Sequence, residues 1–223
     1  MTPRLEDLPT VVPVFPLPAP LLLPGTVVRL SATEPWQRRL LDDAMAGDSY
    51  VAVVQPIAPE AEDDPSAAAE KPSAGELFSV GCLGTIGEVE EEEPELRVLV
   101  GGVIRFRIVG EEPGEGEYPR LRVDYSDFVD DLSQVEDLDF TRLKEMVRVR
   151  LENQGSPLDP TIMDGMAGTE IVTALAHACP FSPAERQVLM ETRNLIELEY
   201  VLLDLMAGPA GMLRLDLPPL LPS

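Results

Sequence analysis

The spacing of apolar residues changes once along this chain of 223 residues, and that change constrains its fold most. Before Ser133, short segments such as Ile104–Ile108 alternate between apolar and polar side chains, which predicts half-buried strands. After Ser133 the spacing becomes three and four, which predicts amphipathic helices, and the first apolar residues there are Phe140, Leu143, Val147 and Leu151. The chain is therefore predicted to be α+β, with a β-rich lobe at residues 1–128 and a helical lobe at residues 129–223.

The β-rich lobe is predicted to hold six or more short strands around one helix, as a small barrel or a twisted, mostly antiparallel sheet. The helix runs from about Pro35 to Ala46, with Gly47 at its end. Gly101-Gly102 is either a two-residue hairpin turn or a bulge in one long strand. The predicted strands are Val11–Phe15, Thr26–Leu30, Tyr50–Ile57, Leu77–Val89, Leu96–Val100, Val103–Val109 and Arg120–Tyr125.

Two segments of the β-rich lobe have unusual compositions. Leu8 to Val28 carries no charge and is long enough to cross a bilayer, but it contains six prolines. Each proline inside a helix costs roughly 3 kcal/mol, so this stretch is predicted to form short extended pieces joined by turns. Residues 58–76 contain six acids and no large apolar side chain, and they are predicted to form a mobile surface loop.

The helical lobe is predicted to contain four helices and an apolar, proline-rich tail over Gly211–Ser223. Ser133 and Glu136 have capping-box spacing, so the first helix is expected to begin there and to end near Gly155. Ser182-Pro183-Ala184-Glu185 is typical of a helix start, because it joins a capping residue, a proline and a glutamate. The other helices are Thr169–Ala178 and Leu195–Met206, the last with Leu195, Leu198, Leu202 and Leu205 on one stripe.

Net charge and cysteine content narrow the possible partners and compartment. The chain has 17 basic and 40 acidic residues, a balance of −23. Basic side chains supply the affinity for phosphate backbones and anionic lipids, so neither nucleic acid nor membrane is an expected partner. The two cysteines, Cys82 and Cys179, make no disulfide framework, and the N-terminus is acidic where a secretory signal would be basic. A cytoplasmic location is therefore expected.

The common catalytic and cofactor-binding patterns are missing from the sequence. No lysine follows a glycine, which excludes a Walker A loop, and His177 with Cys179 is no zinc-binding pattern. No Gly-x-Ser-x-Gly segment presents a serine to His177, the only histidine. Pro72-Ser73-Ala74-Gly75 is similar to the nucleophile segment of serine–lysine proteases, but its acidic neighbours raise the pKa of a lysine, which opposes catalysis. We predict no enzyme activity, no metal and no cofactor.

Two apolar features near the N-terminus have two possible roles. Leu21-Leu22-Leu23-Pro24 is a compact apolar run, and Trp36, the only tryptophan, opens the predicted first helix. These residues either complete the core or form a partner groove, because aromatic anchors and proline-stiffened loops are common in binding surfaces. The candidate partner-binding residues are Leu22, Leu23, Pro35 and Trp36.

Four stretches of the chain resemble a known family. Val12–Leu17 with Leu22–Gly25 looks like the family's opening Phe-Pro-Leu and Phe-Pro-Gly, and Glu34-Pro35 with Arg38 looks like its Glu-Pro-Arg-Tyr-Arg. Two residues depart from the second motif: Trp36 and Gln37 stand where the family prefers Arg and Tyr.

The other two stretches lie further along the chain. Gly84–Ile86 and Gly101 with Arg105–Ile108 resemble the family's strand motif, and Ser182–Met190 resembles a helix motif of its second lobe. Together they identify a resemblance to the amino-terminal domain of Lon proteases, which also occurs as free-standing substrate-binding-domain proteins.

This resemblance implies a PUA-like β-barrel lobe followed by a helical bundle, without the ATPase and protease modules of full-length Lon. It implies a non-catalytic module that binds exposed apolar or unfolded polypeptide segments, partly by strand addition at a sheet edge, as an adaptor or regulator of proteolysis. Its partners would be polypeptide substrates or a protease. Two alternatives stay open: a cryptic serine hydrolase using Ser73, and RNA binding through a basic face formed by Arg105, Arg107, Arg120 and Arg122.

Overall fold

A computed structural model of the chain describes residues 3–57, 73–92, 95–112, 118–133, 140–154, 165–166, 171–172, 175, 179 and 181–207. The strands of this part are β1 (Val11–Pro16), β2 (Val27–Ala32), β3 (Tyr50–Val54), β4 (Val80–Glu92), β5 (Glu95–Glu111) and β6 (Arg120–Asp124). Its helices are α1 (Pro35–Ala46), α2 (Thr141–Gln154), α3 (Pro183–Met190) and α4 (Leu195–Ala207). The α+β prediction is confirmed, and the chain divides into two compact units, Met1–Gln134 and Val135–Ser223.

The six strands of the first unit form one sheet in the order β2-β5-β4-β3-β1-β6. β5 also pairs with β6, which closes five of the strands into a ring. Among the strands that the structure describes, β2 pairs with β5 alone, so its other edge is free of them. β1 and β3 are parallel, and all the other pairs are antiparallel. Closure removes most free edges of the sheet, so β2 keeps one of the few edges that remain.

Gly101-Gly102 lies inside one continuous strand, so the bulge interpretation is right and the hairpin interpretation is wrong. Leu83 pairs with Ile104 while Gly84 pairs with Gly102, which leaves Val103 as the additional residue of the bulge. A side chain at Gly102 would overlap the carbonyl group of Leu23, and one at Gly84 would overlap the side chain of Val100. Both glycines are therefore required by close approach of neighbouring groups.

The apolar turn before β2 is held on this bulge by backbone hydrogen bonds. The Gly102 amide donates to the Thr26 carbonyl at 2.8 Å, and the Gly25 amide donates to the Gly102 carbonyl at 3.0 Å. The Thr26 hydroxyl donates to the carbonyl of Leu23 at 2.8 Å and accepts from its amide at 3.0 Å. These bonds satisfy the polar groups of a turn that is buried, which allows its leucines to enter the core.

Helix α1 spans the predicted residues, and its first turn is closed by a side chain. The Oε1 atom of Gln37 accepts from the amides of Thr33 at 3.0 Å and Glu34 at 3.1 Å. This is the capping-box arrangement, with Pro35 at the first helical position. The buried residues of α1 are Gln37, Leu40, Leu41 and Ala44.

Alternation along β5 predicts a half-buried strand, yet Arg105, on its polar side, is only 3% exposed. A 3-10 segment, Ser126–Leu132, covers this position. The Asp131 carboxylate accepts hydrogen bonds from Arg105 Nη2 at 2.7 Å, Nε at 2.9 Å and the backbone amide at 3.0 Å. The guanidinium also lies 4.7 Å from the centre of the Phe128 ring. A charge can be buried here because it is paired and fully hydrogen-bonded.

The last residues of the predicted loop 58–76 are folded. Residues 58–72 lie outside the described part, whereas Ala74–Glu76 form a short 3-10 turn. The Glu76 carboxylate accepts from the Ser73 amide at 2.8 Å, and the Ala74 amide donates to Glu111 at 2.5 Å. The capping bonds of Ser73 and Glu76 therefore order this end of the segment.

In the second unit, α3 begins as predicted: the Ser182 hydroxyl accepts from the Glu185 amide at 3.3 Å, and Glu185 accepts from the Ser182 amide at 2.8 Å. The predicted helix start at Ser133 is wrong, because Ser133 ends the 3-10 segment and α2 begins at Thr141. The buried residues of α4 are Leu198, Leu202 and Met206, and the predicted Leu205 is half-buried.

Two other predictions for the second unit fall mostly or wholly outside the described residues. Of the predicted helix Thr169–Ala178, the structure describes Ile171, Val172 and Leu175, which are helical and buried. The predicted tail, Gly211–Ser223, is not among the described residues.

We predict that Gly102→Ala destabilises the first unit by about 3 kcal/mol, because the new methyl group meets backbone atoms of Leu23. Gly101→Ala is the matched control, since nothing lies within 4 Å of its added Cβ, and its cost should stay within about 0.5 kcal/mol. Urea unfolding followed by the fluorescence of Trp36 measures the first unit alone. Equal unfolding midpoints for the two variants would contradict the packing described.

We predict that Arg105→Gln lowers the free energy of unfolding by about 3–5 kcal/mol, because it leaves the Asp131 carboxylate buried without its cation. Arg107→Gln removes the neighbouring exposed pair with Asp127 and should cost about 1 kcal/mol or less. The double variant Arg105→Met, Asp131→Leu should recover part of the loss, because no charge then remains buried. A similar loss of unfolding free energy in Arg105→Gln and Arg107→Gln would show that burial of the Arg105–Asp131 pair does not set its contribution.

Candidate functional site

The four candidate partner-binding residues lie in two different environments. Leu22 and Leu23 are 1% and 3% exposed, so in this structure they belong to the core and offer no surface to a partner. Pro35 is exposed and Trp36 is half-buried at the start of α1. Gly84 and Gly102 admit the turn of these two leucines into the interior, which favours the core role over contact with a partner. Partner binding by Pro35 and Trp36 stays a prediction.

Strand β2 ends at Ala32, three residues before Pro35. Its side chains alternate strictly, with Val28, Leu30 and Ala32 buried and the others exposed. Val27 is 56% exposed, a high value for a valine in a sheet. We refer to the free edge of β2 together with Pro35 and Trp36 as the β2–α1 ledge.

The register of β2 shows which of its backbone groups point away from β5. Thr26 accepts from the Gly102 amide, so this pair is hydrogen-bonded, and Val27 pairs with Gly101 in the next position. In an antiparallel pair, bonded and non-bonded positions alternate. The amide and carbonyl groups of Val27, Arg29 and Ser31 therefore lie on the free edge.

The free edge of β2 differs from the other open edge of the sheet. Pairing of β4 with β3 ends at Thr85, so the last residues of β4 have an open side within the described part. That end carries glutamates at 88, 90, 91 and 92, and charged side chains discourage the addition of another strand. β2 has one charged residue, Arg29, and no proline. Its edge is therefore the better template for an added strand.

The side chains considered for catalysis are engaged elsewhere. The Ser73 hydroxyl donates to Glu76 at 2.8 Å, whereas Lys71 lies outside the described residues and Lys144 Nζ donates to the Met166 carbonyl at 3.4 Å. Burial raises the pKa of the Cys82 thiol and so disfavours the reactive thiolate. Among the residues that the structure describes, no three His, Cys, Asp or Glu side chains are grouped as metal ligands. His177 is not among these residues.

The predicted basic face is broken up by ion pairs. Arg105 is buried against Asp131, Arg107 Nε lies 3.0 Å from an Asp127 oxygen, and Arg122 Nε lies 3.5 Å from a Glu112 oxygen. Carboxylates thus pair with three of the four arginines, which leaves less uncompensated positive charge for the basic face that RNA binding would need. No helix in the described ranges has the length and apolar character needed to span a bilayer.

Comparison with known proteins shows which sequences this chain is similar to. A sequence model of the ATP-dependent protease La (LON) substrate-binding domain matches residues 11–208. Lon protease 2 of Myxococcus xanthus is 27% identical over 226 residues, which cover 95% of this chain and 25% of that protein. Lon protease of Flavobacterium johnsoniae is 33% identical over 112 residues, 48% of this chain and 13% of that protein. The chain thus spans a quarter or less of these relatives.

Two solved structures share the fold. The N-terminal domain of Mycobacterium avium complex Lon protease aligns with a TM-score of 0.61 and 19% identity, covering 87% of this chain and 96% of that one. A Lon N-terminal domain protein from Xanthomonas campestris aligns with a TM-score of 0.57 and 19% identity, covering 87% and 98%. At these identities the likeness concerns the fold alone.

Proposed function

This chain belongs to the Lon substrate-binding-domain family, as its motifs suggested, and from that premise we propose that it is a non-catalytic protein-binding module. It binds exposed apolar or unfolded polypeptide segments and acts as an adaptor or regulator of proteolysis. The observation that carries the proposal is the β2–α1 ledge, an unprotected strand edge that continues into an exposed proline and a half-buried tryptophan.

Strand addition explains how such a module selects unfolded chains. An extended segment pairs its own amide and carbonyl groups with those of Val27, Arg29 and Ser31 on the free edge of β2. In folded proteins most backbone groups are already paired, so only an unfolded or displaced segment can make these bonds. Because backbone groups are common to all sequences, this mode of binding tolerates many different clients.

Apolar contacts add affinity beside the paired strand. Val27 and Trp36 offer exposed apolar surface, and burial of such surface contributes about 25 cal/mol per Å². Tryptophan is also frequent among the residues that dominate binding energy at interfaces. The ledge therefore favours segments that have both an exposed backbone and apolar side chains.

The proposed setting is the cytoplasm. Both cysteines are free and buried, which fits a reducing compartment. The balance of −23 opposes binding to nucleic acid and to anionic membranes, so polypeptides or a protease are the proposed partners.

We predict that this chain binds reduced, carboxymethylated α-lactalbumin, which is unfolded, and does not bind the native form. Val27→Ser should weaken binding about fivefold or more through lost apolar burial, and Trp36→Ala about tenfold. Fluorescence anisotropy of labelled α-lactalbumin gives the dissociation constants. Val109→Ser is the matched control, because Val109 is 66% exposed on a different strand. Equal effects at Val27 and Val109 would exclude the ledge as the binding surface.

We predict that Ser31→Pro abolishes strand addition while the fold persists, because proline removes an amide that points away from β5. Ser31→Ala keeps that amide and should bind unfolded α-lactalbumin like the natural chain. Hydrogen exchange supplies a direct measurement: in the natural chain, bound polypeptide should slow exchange of the Val27, Arg29 and Ser31 amides. Unchanged exchange of these three amides in the complex would refute strand addition.

A further inference from the structure

A second surface feature of the first unit is a half-open pocket of about 210 Å³ at the end of α1. Its walls come from α1, from β1, β3 and β6, and from the residues next to them. Prolines and a valine make part of the lining apolar, and two tyrosines and three charged residues complete it. The residues that matter here are Pro13, Asp43, Asp48, Tyr50, Tyr118 and Arg120.

The charged residues at the C-terminal end of α1 have the opposite sign from those that a helix C-terminus usually carries. A helix C-terminus carries a partial negative charge and normally attracts Lys, Arg or His, yet the last turn of α1 contains no basic residue. Asp42 and Asp43 lie in that turn, and Asp48 follows just beyond it. Arg39, one turn earlier, pairs with Asp43 on the exposed side. Asp43 is thus already paired, which leaves Asp48 as the pocket carboxylate that has no ion pair among the described residues. Departures from such local rules are expected at functional sites.

Tyr118 holds the Asp43 carboxylate, and Tyr118 and Tyr50 add aromatic side chains to the pocket. The Tyr118 hydroxyl donates to Asp43 Oδ2 at 3.0 Å. Burial and the neighbouring Asp43 carboxylate raise the pKa of Tyr118, so the phenol stays protonated and keeps this bond. Tyr118 and Tyr50 both line the pocket, and aromatic side chains can attract cations through the faces of their rings.

We propose that this pocket binds the cationic side chain of a lysine or arginine in the captured polypeptide, which deepens and rests on the proposed function. Pro9, Val11 and Pro13 provide an apolar side for the methylene stem, while Asp48, Asp43 and the end of α1 stabilise the charged group. The balance of −23 adds a long-range attraction for basic segments.

Among the described residues that line the pocket, Arg120 is the one basic residue, and it allows a cationic ligand to be distinguished from an anionic one. Its side chain is exposed and lies on β6 opposite Pro13. A positive charge there repels a cationic ligand but attracts an anionic one. Removing the charge of Arg120 must therefore strengthen binding of a lysine side chain, whereas it would weaken binding of a carboxylate or phosphate.

The test is an NMR titration of the ¹⁵N-labelled full chain with Nα-acetyl-lysine-N-methylamide and with its uncharged norleucine analogue. We expect the lysine compound alone to shift the amide signals of Gly47, Asp48 and Tyr50. Asp48→Asn should weaken binding about fivefold, and Arg120→Gln should strengthen it two- to fivefold, as expected for exposed charge pairs. Asp42→Asn is the matched control, because it removes a charge from the same helix end outside the pocket lining.

The results separate this inference from the proposed function. Equal binding of the lysine and norleucine compounds would overturn it, and so would loss of binding in Arg120→Gln, which would assign an anionic ligand. If unfolded α-lactalbumin binds but the lysine compound causes no shifts, the pocket inference fails and the ledge proposal stands. If the lysine compound binds and unfolded α-lactalbumin does not, the pocket is a cation site and the proposed function fails.

Discussion

Contact between the Leu23 carbonyl and the bare Cα of Gly102 determines much of the first unit. Because no side chain intervenes, the turn before β2 lies directly on β5 and exchanges backbone hydrogen bonds with the bulge. Those bonds set the register of β2 on β5, and the register decides which backbone groups face outward. A slip by one residue would bury Val27 and expose Val28. The candidate binding edge is thus a consequence of one glycine and the turn it admits.

The buried pair of Arg105 and Asp131 has a different role, on the outer side of the closed sheet. Two strands place Cys82 and Arg105 side by side, and the segment Ser126–Leu132 covers them. Apolar contacts alone would hold so short a segment loosely, whereas three hydrogen bonds to one carboxylate define a single position for it. We infer that the pair fixes the point at which the chain leaves the first unit, a role in specificity more than in stability.

Local signals in the sequence predicted what depends on local chemistry. The proline and glycine at the ends of α1 and the Ser182–Glu185 motif identified two helices, and alternation indicated strands at Ile104–Ile108 and Arg120–Tyr125. Such signals did not indicate the burial of Arg105 and could not decide whether Leu22 belongs to the core or to a partner surface. Both outcomes depend on residues far along the chain: Asp131 for the first, Gly84 and Gly102 for the second. The free edge of β2 also required the strand order, since nothing in a strand's own sequence states which neighbours it has.

The proposed ledge and pocket lie at opposite ends of α1, and that separation limits how one polypeptide can engage both. Trp36 is the second residue of this helix of 12 residues, and the pocket is formed near its last turn. The last turn, Asp43–Ala46, lies seven to ten residues after Trp36, about 10–15 Å at about 1.5 Å per residue. An extended chain covers that length in about three to five residues, at about 3.3 Å each. A client that engages both sites would carry an apolar side chain and a basic side chain at about that spacing. Pairing with the backbone of β2 does not depend on the client's sequence, whereas this spacing gives the module a preference among client sequences.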